Sequence, residues 1–398
     1  MKKLTALLLS FCAALSLSGC GGSTETVETG PTVVRIGIFE PLTGADAKYG
    51  EAEKLGIEYA HSLQPTVRVG GKDIEVELVP ADNAGSVTYA ADAAKTLIAK
   101  DVAVVLGSYG DAVSRTAGPV FENAGVAAIA MSCTDRAVTA DNDYYFSIAS
   151  AEELQASALG RYAANRLGAR NIYCMGLAGD ELSVRRINAF AAAFEAQGGK
   201  VMYDFMSPAD PDVVTNLVKG YNQGAHAYFA PLDAESIVNM VTLSRSLDIY
   251  LPILGPDTLD DDRLIAIPVD ETSDAPAIRV YVSGFYAAGG NAAFDAGLRE
   301  YAGYDPEAED PGMEDPVSSY AALGYDAYNL ALKAITSIGS VDKADILAVM
   351  PSVIYTGVTG KLYFDEDGAV IRDAVYVKRA DYVNGEWRLD RRQSGGDT

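Results

Sequence analysis

Histidine and cysteine are scarce in this chain of 398 residues, at two and four respectively. His61 falls in an expected helix and His226 just ahead of an expected strand. Neither stands in a partner motif, so structural or surface roles are read for both. No Cys/His spacing suits zinc. Neither a G-x-x-x-x-G-K-[ST] phosphate cradle nor a G-x-S-x-G nucleophile elbow occurs. Asp260-Asp261-Asp262 lacks the spacing of a calcium loop and reads as a solvated turn or a helix start. Nothing here argues for an enzyme, and no cofactor or metal is expected. Positive charge is short as well: 31 basic against 55 acidic residues give a net charge of -24. So acidic a surface repels nucleic acid and anionic lipid head groups, which excludes a nucleic-acid partner. Beyond the first twenty residues no apolar run approaches the roughly 20 that span a bilayer.

What is present begins at the N-terminus. Lys2 and Lys3 precede an uncharged apolar stretch, Leu4 to Leu17, and small residues lead into Cys20. Residues 1–19 match a secretory signal. Leu17-Ser18-Gly19-Cys20 resembles the bacterial lipobox. That resemblance implies cleavage before Cys20, diacylglycerol on its thiol, palmitate-type acyl chains, and an extracytoplasmic chain held to a bacterial membrane by lipid. Residues 20–32, with the polar run GGSTETVETGP, read as a lipidated flexible tether. Removing the signal takes two lysines and no acid, leaving a net -26. With Cys12 lost and Cys20 acylated, Cys133 and Cys174 remain, read as free, small, buried residues.

The rest alternates short β-branched runs with amphipathic or Ala-rich segments. Strands are expected at 33–39, 74–79, 102–106, 127–130, 172–175, 201–205, 227–229 and 252–254. Helices are expected at 50–63, 86–100, 111–124, 152–167, 183–197, 213–223, 233–246 and 318–335. Asp305–Pro316 reads as an acidic surface insertion and Gly360–Val377 as a β-rich ending with an Asp367-Gly368 turn. This rhythm gives parallel sheets covered by helices. There are too many strands for one modest sheet, so the fold class is α/β with two doubly wound parallel-sheet lobes. Ligands of such sheets bind at the carboxyl ends of strands, where strand order reverses. Attention therefore falls on the loops at 40–50, 107–112, 131–136, 176–182, 230–233 and 255–258.

Six segments carry a family resemblance: PLTGADAKYG (41–50), VVLGSYGDAVSRTAGP (104–119), GVAAIAMSCTD (125–135), LPILGPDTL (251–259), ALGYDAYNLALKAI (322–335) and YTGVTGKLYFDEDG (355–368). Taken in order, they are similar to the branched-chain amino-acid (Leu/Ile/Val)-binding family of type 1 periplasmic binding proteins. The resemblance implies lobes of 33–149 plus 282–374 and of 150–281 plus 375–398, joined by three hinge crossings. It further implies a small solute, an amino acid or similar, captured between the lobes by hinge closure. An ABC permease as partner and a monomeric state follow from the same likeness. A signalling receptor is the alternative partner, and a lipid-anchored hydrolase the more distant one.

An amino acid needs donors for its carboxylate and acceptors for its ammonium. A helix N-terminus supplies the former, and the start of the 111–124 helix is such a place. Ser108 in the preceding loop, and Ser132 and Thr134 in the next, add polar groups. Asp257 aligns with the family's acidic residue that takes the ammonium, and Tyr49 with an aromatic that covers the ligand. Asp111 stands where the family usually has a serine hydroxyl, and its carboxylate is a candidate cap for its own helix. Leu182 and Leu232 align with positions that often carry aromatics, and Asp180, Glu181 and Asp233 lie beside them. The candidate binding set is Tyr49, Ser108, Asp111, Ser132, Thr134, Asp180, Leu232 and Asp257. It is more acidic than a leucine site requires, so a cationic solute, or one without a free carboxylate, enters as a hypothesis.

Overall fold

The computed structural model describes residues 33–209, 211–268, 277–305, 308, 312–372, 374–382 and 385–394. The expected signal, Cys20 and the tether lie outside the described residues, as does part of the 305–316 insertion.

Two sheets form two α/β lobes. The first has six strands in the order Thr66–Val69, Lys72–Asp82, Val33–Glu40, Val104–Leu106, Ala127–Ala130, Tyr145–Ser147. The second has seven: Glu386–Ser394, Ala374–Asp381, Val280–Gly284, Ile253–Gly255, Ala227–Phe229, Asn171–Leu177, Lys200–Met206. The chain passes between them after Ser147, after Gly284 and after Arg372. Both sheets are mixed rather than purely parallel. Thr66–Val69 turns back antiparallel through Gly70 and Gly71, both at positive φ, as a tight hairpin demands. Ala374–Asp381 and Glu386–Ser394 add two antiparallel strands at the edge of the second sheet. A small third sheet joins Tyr355–Gly357, Gly360–Phe364 and Val370–Arg372, with Gly368 at φ 76° in the expected turn.

The inner strands are short and wholly buried, because helices cover both faces. On one face of the first sheet, Ile36, Ile38, Leu106 and Ile129 meet Leu323, Leu330 and Ile335 of the long helix Ser319–Ile338. On the other, Phe39, Val105 and Ala128 meet Leu97 and Phe121. The helices Ala47–Leu63 and Ser319–Ile338 cross at van der Waals contact through two glycines. A Cβ on Gly56 would lie 1.9 Å from the Ala321 carbonyl, and one on Gly324 would lie 2.0 Å from that of Glu53. Only glycine permits that approach, and it brings Tyr49, Glu53 and Tyr320 to one end of the first sheet.

Strand order reverses at Val33–Glu40, which has Lys72–Asp82 on one side and Val104–Leu106 on the other, both parallel to it. In the second sheet it reverses between Asn171–Leu177 and Ala227–Phe229. The connections leaving the carboxyl ends of these strands and of Ala127–Ala130 and Ile253–Gly255 build the candidate site.

Candidate functional site

Three tyrosines line the first lobe's side. The Tyr49 and Tyr109 rings stack at 4.6 Å between centroids, 13° from parallel. Tyr320 leans on both, at 5.0 Å from Tyr49 and 5.8 Å from Tyr109. Beneath them lie two fully buried carboxyls, Glu40 and Glu53. The Tyr109 N–H donates to Glu40 Oε2 at 2.8 Å. Glu40 Oε1 and both Glu53 oxygens are sealed from solvent, where the two carboxyls face each other and the Ser132 hydroxyl. Burial, and then the neighbouring Glu53 charge, hold Glu40 well above the usual carboxylate range, while burial pushes Glu53 up to about 7. Two buried carboxyls in this position share a proton rather than ionise together.

The helix Asp111–Ala124 starts at Gly110, and no side chain caps it. Asp111 therefore does not cap its own helix. Its carboxylate instead reaches the neighbouring loop, accepting from the Asp135 N–H at 3.1 Å and lying against the Thr134 N–H and the Cys133 thiol. Burial raises its pKa. The Ser132 hydroxyl is buried against the Glu53 carboxyl. Ser108 is fully buried and turned inward: its hydroxyl accepts from Asn83 at 2.8 Å and donates to the Tyr109 carbonyl at 2.9 Å.

From Thr134 the network crosses to the second lobe. Thr134 Oγ1 donates to Glu152 Oε1 at 2.7 Å. Arg186, on the helix Glu181–Glu195, donates through Nη2 to the same oxygen at 3.0 Å. Its Nε stands 2.9 Å from Oε2, close enough for charge attraction but without the alignment of a hydrogen bond. Burial outweighs the Arg186 charge and leaves Glu152 at about 7. Asp257 opens the one-turn 3-10 helix Asp257–Leu259 after the strand Ile253–Gly255. It is 9% exposed, and its Oδ1 has no partner among the described residues. Burial raises it to about 6; Arg186 pulls down, while Asp111 and Asp260 push up.

The three consecutive aspartates that follow are not a solvated turn. Asp260 pairs with the buried Lys378 and accepts from Ser319 Oγ at 3.1 Å. Asp261 caps the short helix Asp262–Ile265, bonds Arg263, and accepts from the Tyr49 hydroxyl at 3.3 Å. Asp262 lies 3.5 Å from Lys48. The helix start foreseen here is present, but the side chains of Asp260 and Asp261 are nearly sealed from solvent.

The structure thus gathers Tyr49, Asp111, Ser132, Thr134 and Asp257. Asp180 is the N-cap of its helix, accepting from the Leu182 N–H at 3.1 Å. Leu232 packs in the second lobe's apolar core. The histidines hold main chain: His61 Nε2 meets the Val76 carbonyl and His226 Nδ1 accepts from the Arg170 N–H. Among the described residues no group of three metal-ligating side chains occurs.

Sequence reasoning missed Glu40, Glu53, Tyr109, Glu152, Arg186 and Tyr320. A signal for Glu53 was available. It shares the spacing of Gly56, Ile57 and Ala60, which places it on the buried stripe of its helix. Glu152 and Arg186 carry no such mark.

A model of the periplasmic binding protein family matches residues 33–385. A leucine-, isoleucine-, valine-, threonine- and alanine-binding protein of Pseudomonas aeruginosa is 22% identical over 402 residues, covering 98% of each chain. The crystal structure of a leucine-binding protein of Thermotoga maritima superposes with a TM-score of 0.71 at 26% identity, covering 90% of this chain and 98% of that one. A Rhodopseudomonas palustris solute-binding protein in complex with 3,4-dihydroxybenzoic acid superposes at 0.69 and 20% identity, covering 92% and 97%.

Proposed function

The chain belongs to the periplasmic binding protein family, and from that premise we propose that it captures an amino acid or a related small polar solute between its lobes for delivery to an ABC permease. It is a binding protein and not an enzyme. The observation that carries the reading is Asp257, a buried carboxylate with a free oxygen beside a hydrogen-bond network drawn from both lobes. A buried charge of this kind is costly until it is paired, and an ammonium is the partner that satisfies it. The leucine-binding protein and the Pseudomonas relative support an amino-acid-like ligand.

Capture works by closure. The lobes, taken as 33–149 plus 282–374 and 150–281 plus 375–398, hinge at the three crossings. Tyr49–Asp261, Ser319–Asp260 and Lys48–Asp262 are then the contacts that closing makes. The solute favours the closed form only by as much as it binds that form better. The protein acts as a monomer outside the cytoplasm, where the signal 1–19 sends it and lipid on Cys20 holds it. No helix among the described residues is long and apolar enough to cross a membrane.

Mass spectrometry of the small molecules released on gentle denaturation identifies the solute, and calorimetry with that molecule measures it. Asp257→Ala should weaken binding about a hundredfold, with each tenfold being about 1.4 kcal/mol. Unchanged affinity would remove Asp257 from the site, and recovery of a chemically altered solute would overturn the binding-protein reading. Cys20→Ala should move the protein from the membrane to the soluble fraction; continued membrane association would refute the anchor.

A further inference from the structure

Asp111 sets a carboxylate at the uncapped start of its helix, where a ligand carboxylate would be received, and takes the donors of the neighbouring loop. The Asp135 N–H is bonded to Asp111, and the same carboxylate lies against the Thr134 N–H. A second carboxylate there would meet a like charge and find the loop's donors occupied. The charge balance nearby points the same way. Asp111, Glu152 and Asp257 interact electrostatically with one another. Among the described residues the cation facing Glu152 and Asp257 is Arg186, and it is bound to Glu152. Asp257 keeps a buried oxygen without a partner among the described residues. Tyr109 and Tyr320, from the opposite lobe, both lie within electrostatic reach of Asp257. Aromatic rings within electrostatic reach of a desolvated carboxylate suit an organic cation, which gains from both.

Resting on the binding-protein reading above, we propose that the solute is an organic cation, an amine or guanidine with no free carboxylate, whose charged nitrogen sits on Asp257 and whose other end meets Asp111 as a hydrogen-bond donor. Asp111 is then a specificity residue: it rejects the carboxylate of an ordinary amino acid while it pins the 133–135 loop. A zwitterion brings no net charge to offset the excess acid and adds a further anion beside Asp111. A cation without a carboxylate relieves both.

Calorimetry on the full chain, freed of bound solute by dialysis from mild denaturant, tests this with L-leucine, L-arginine, agmatine and spermidine. Arginine and agmatine differ by one carboxylate, so their ratio reads the proposal directly. Agmatine or spermidine should bind at least tenfold tighter than either amino acid, and Asp111→Ser should shrink that ratio by about tenfold. The released solute should carry net positive charge. Tighter binding of leucine or arginine than of both amines, or release of a neutral or anionic solute, overturns the cation assignment and leaves the binding protein standing. No binding of any probe, with no solute released, overturns both. The probe ratio is measured on the unsubstituted chain, so a variant that fails to fold leaves the test intact.

Discussion

The Arg186 guanidinium stands 2.9 Å from the Glu152 carboxylate, with only 8% and 5% of the two side chains exposed. Glu152 begins the first helix of the second lobe and is also held by Thr134 of the first. A contact between two helices is therefore tied to a contact between two lobes. Exposed ion pairs are worth about 0–1 kcal/mol, but breaking a buried pair strands a charge at a cost of about 3–5 kcal/mol. Arg186→Met should lose about that much stability in urea denaturation. The double variant Arg186→Met with Glu152→Gln should recover most of it. A loss below about 1 kcal/mol for the single variant would show that the pair is not needed to neutralise Glu152.

Tyr49 stacks on Tyr109 in the first lobe and hydrogen-bonds Asp261 of the second. Tyr49→Phe keeps the ring and removes the bond. At 3.3 Å this contact belongs at the weak end for a charged acceptor, so affinity for the solute should fall about three- to tenfold, chiefly through faster release. Surface plasmon resonance reads the two rates. An unchanged off-rate would show that this contact does not hold the lobes closed.

The buried pair Glu40 and Glu53 sets a pH dependence. Both carboxyls bind protons more tightly folded than unfolded, Glu53 with a pKa of about 7. Over that window the native state holds more protons, so stability is full below the ordinary carboxylate range and falls as pH rises towards 7. Glu53→Gln removes one ionisation. It should raise stability by about 1–3 kcal/mol at pH 8 and by little at pH 4. Thermal melts across that range check the slope; an identical slope in the variant would show that Glu53 is not the titrating group. Glu152 and Asp257 are shifted the same way, so some dependence should persist.

Cys133 and Cys174 are free and buried, and burial raises both thiols above their ordinary pKa. The thiolate is the reactive form. Peptides containing either residue should therefore remain unalkylated when the native protein meets iodoacetamide at pH 8, and become labelled in urea. Reductant should leave the melting temperature unchanged. Rapid native labelling of Cys133 would mean that the 131–136 loop opens.

The strands buried on both faces were legible because such strands are continuous apolar runs, as in 102–106 and 127–130. Edge strands were less so: Lys200–Met206 was expected, but Thr66–Val69, Tyr145–Ser147 and Glu386–Ser394 were not. Glu386–Ser394 is rich in charge, as solvent-facing edges are, and carries no apolar run to mark it. Val280–Gly284 is apolar, but the alternation of strand and helix does not single it out, because strands from three stretches of chain meet around it. In the candidate site, Asp257, Thr134 and Asp111 could be picked out because strand-end loops are where such sheets bind ligands. What Asp111 does there was not. A carboxylate at a helix start looks like a cap, and only the approach of residue 135 makes it a bridge between loops.

The sequence by itself determined the class of fold, the strand-end loops that bear the candidate site and the acidic excess of the chain, because these follow from local pattern and composition. It also singled out Cys20 through a local motif. Tertiary structure alone decided which carboxylates are paired and which are left waiting. Glu152 finds Arg186 across 34 positions of chain, Asp260 finds Lys378 across 118, and Asp257 finds no protein donor for its Oδ1 among the described residues. Charge is a property of the residue, but its cost depends on burial and on the neighbour, and both are set only when distant segments pack.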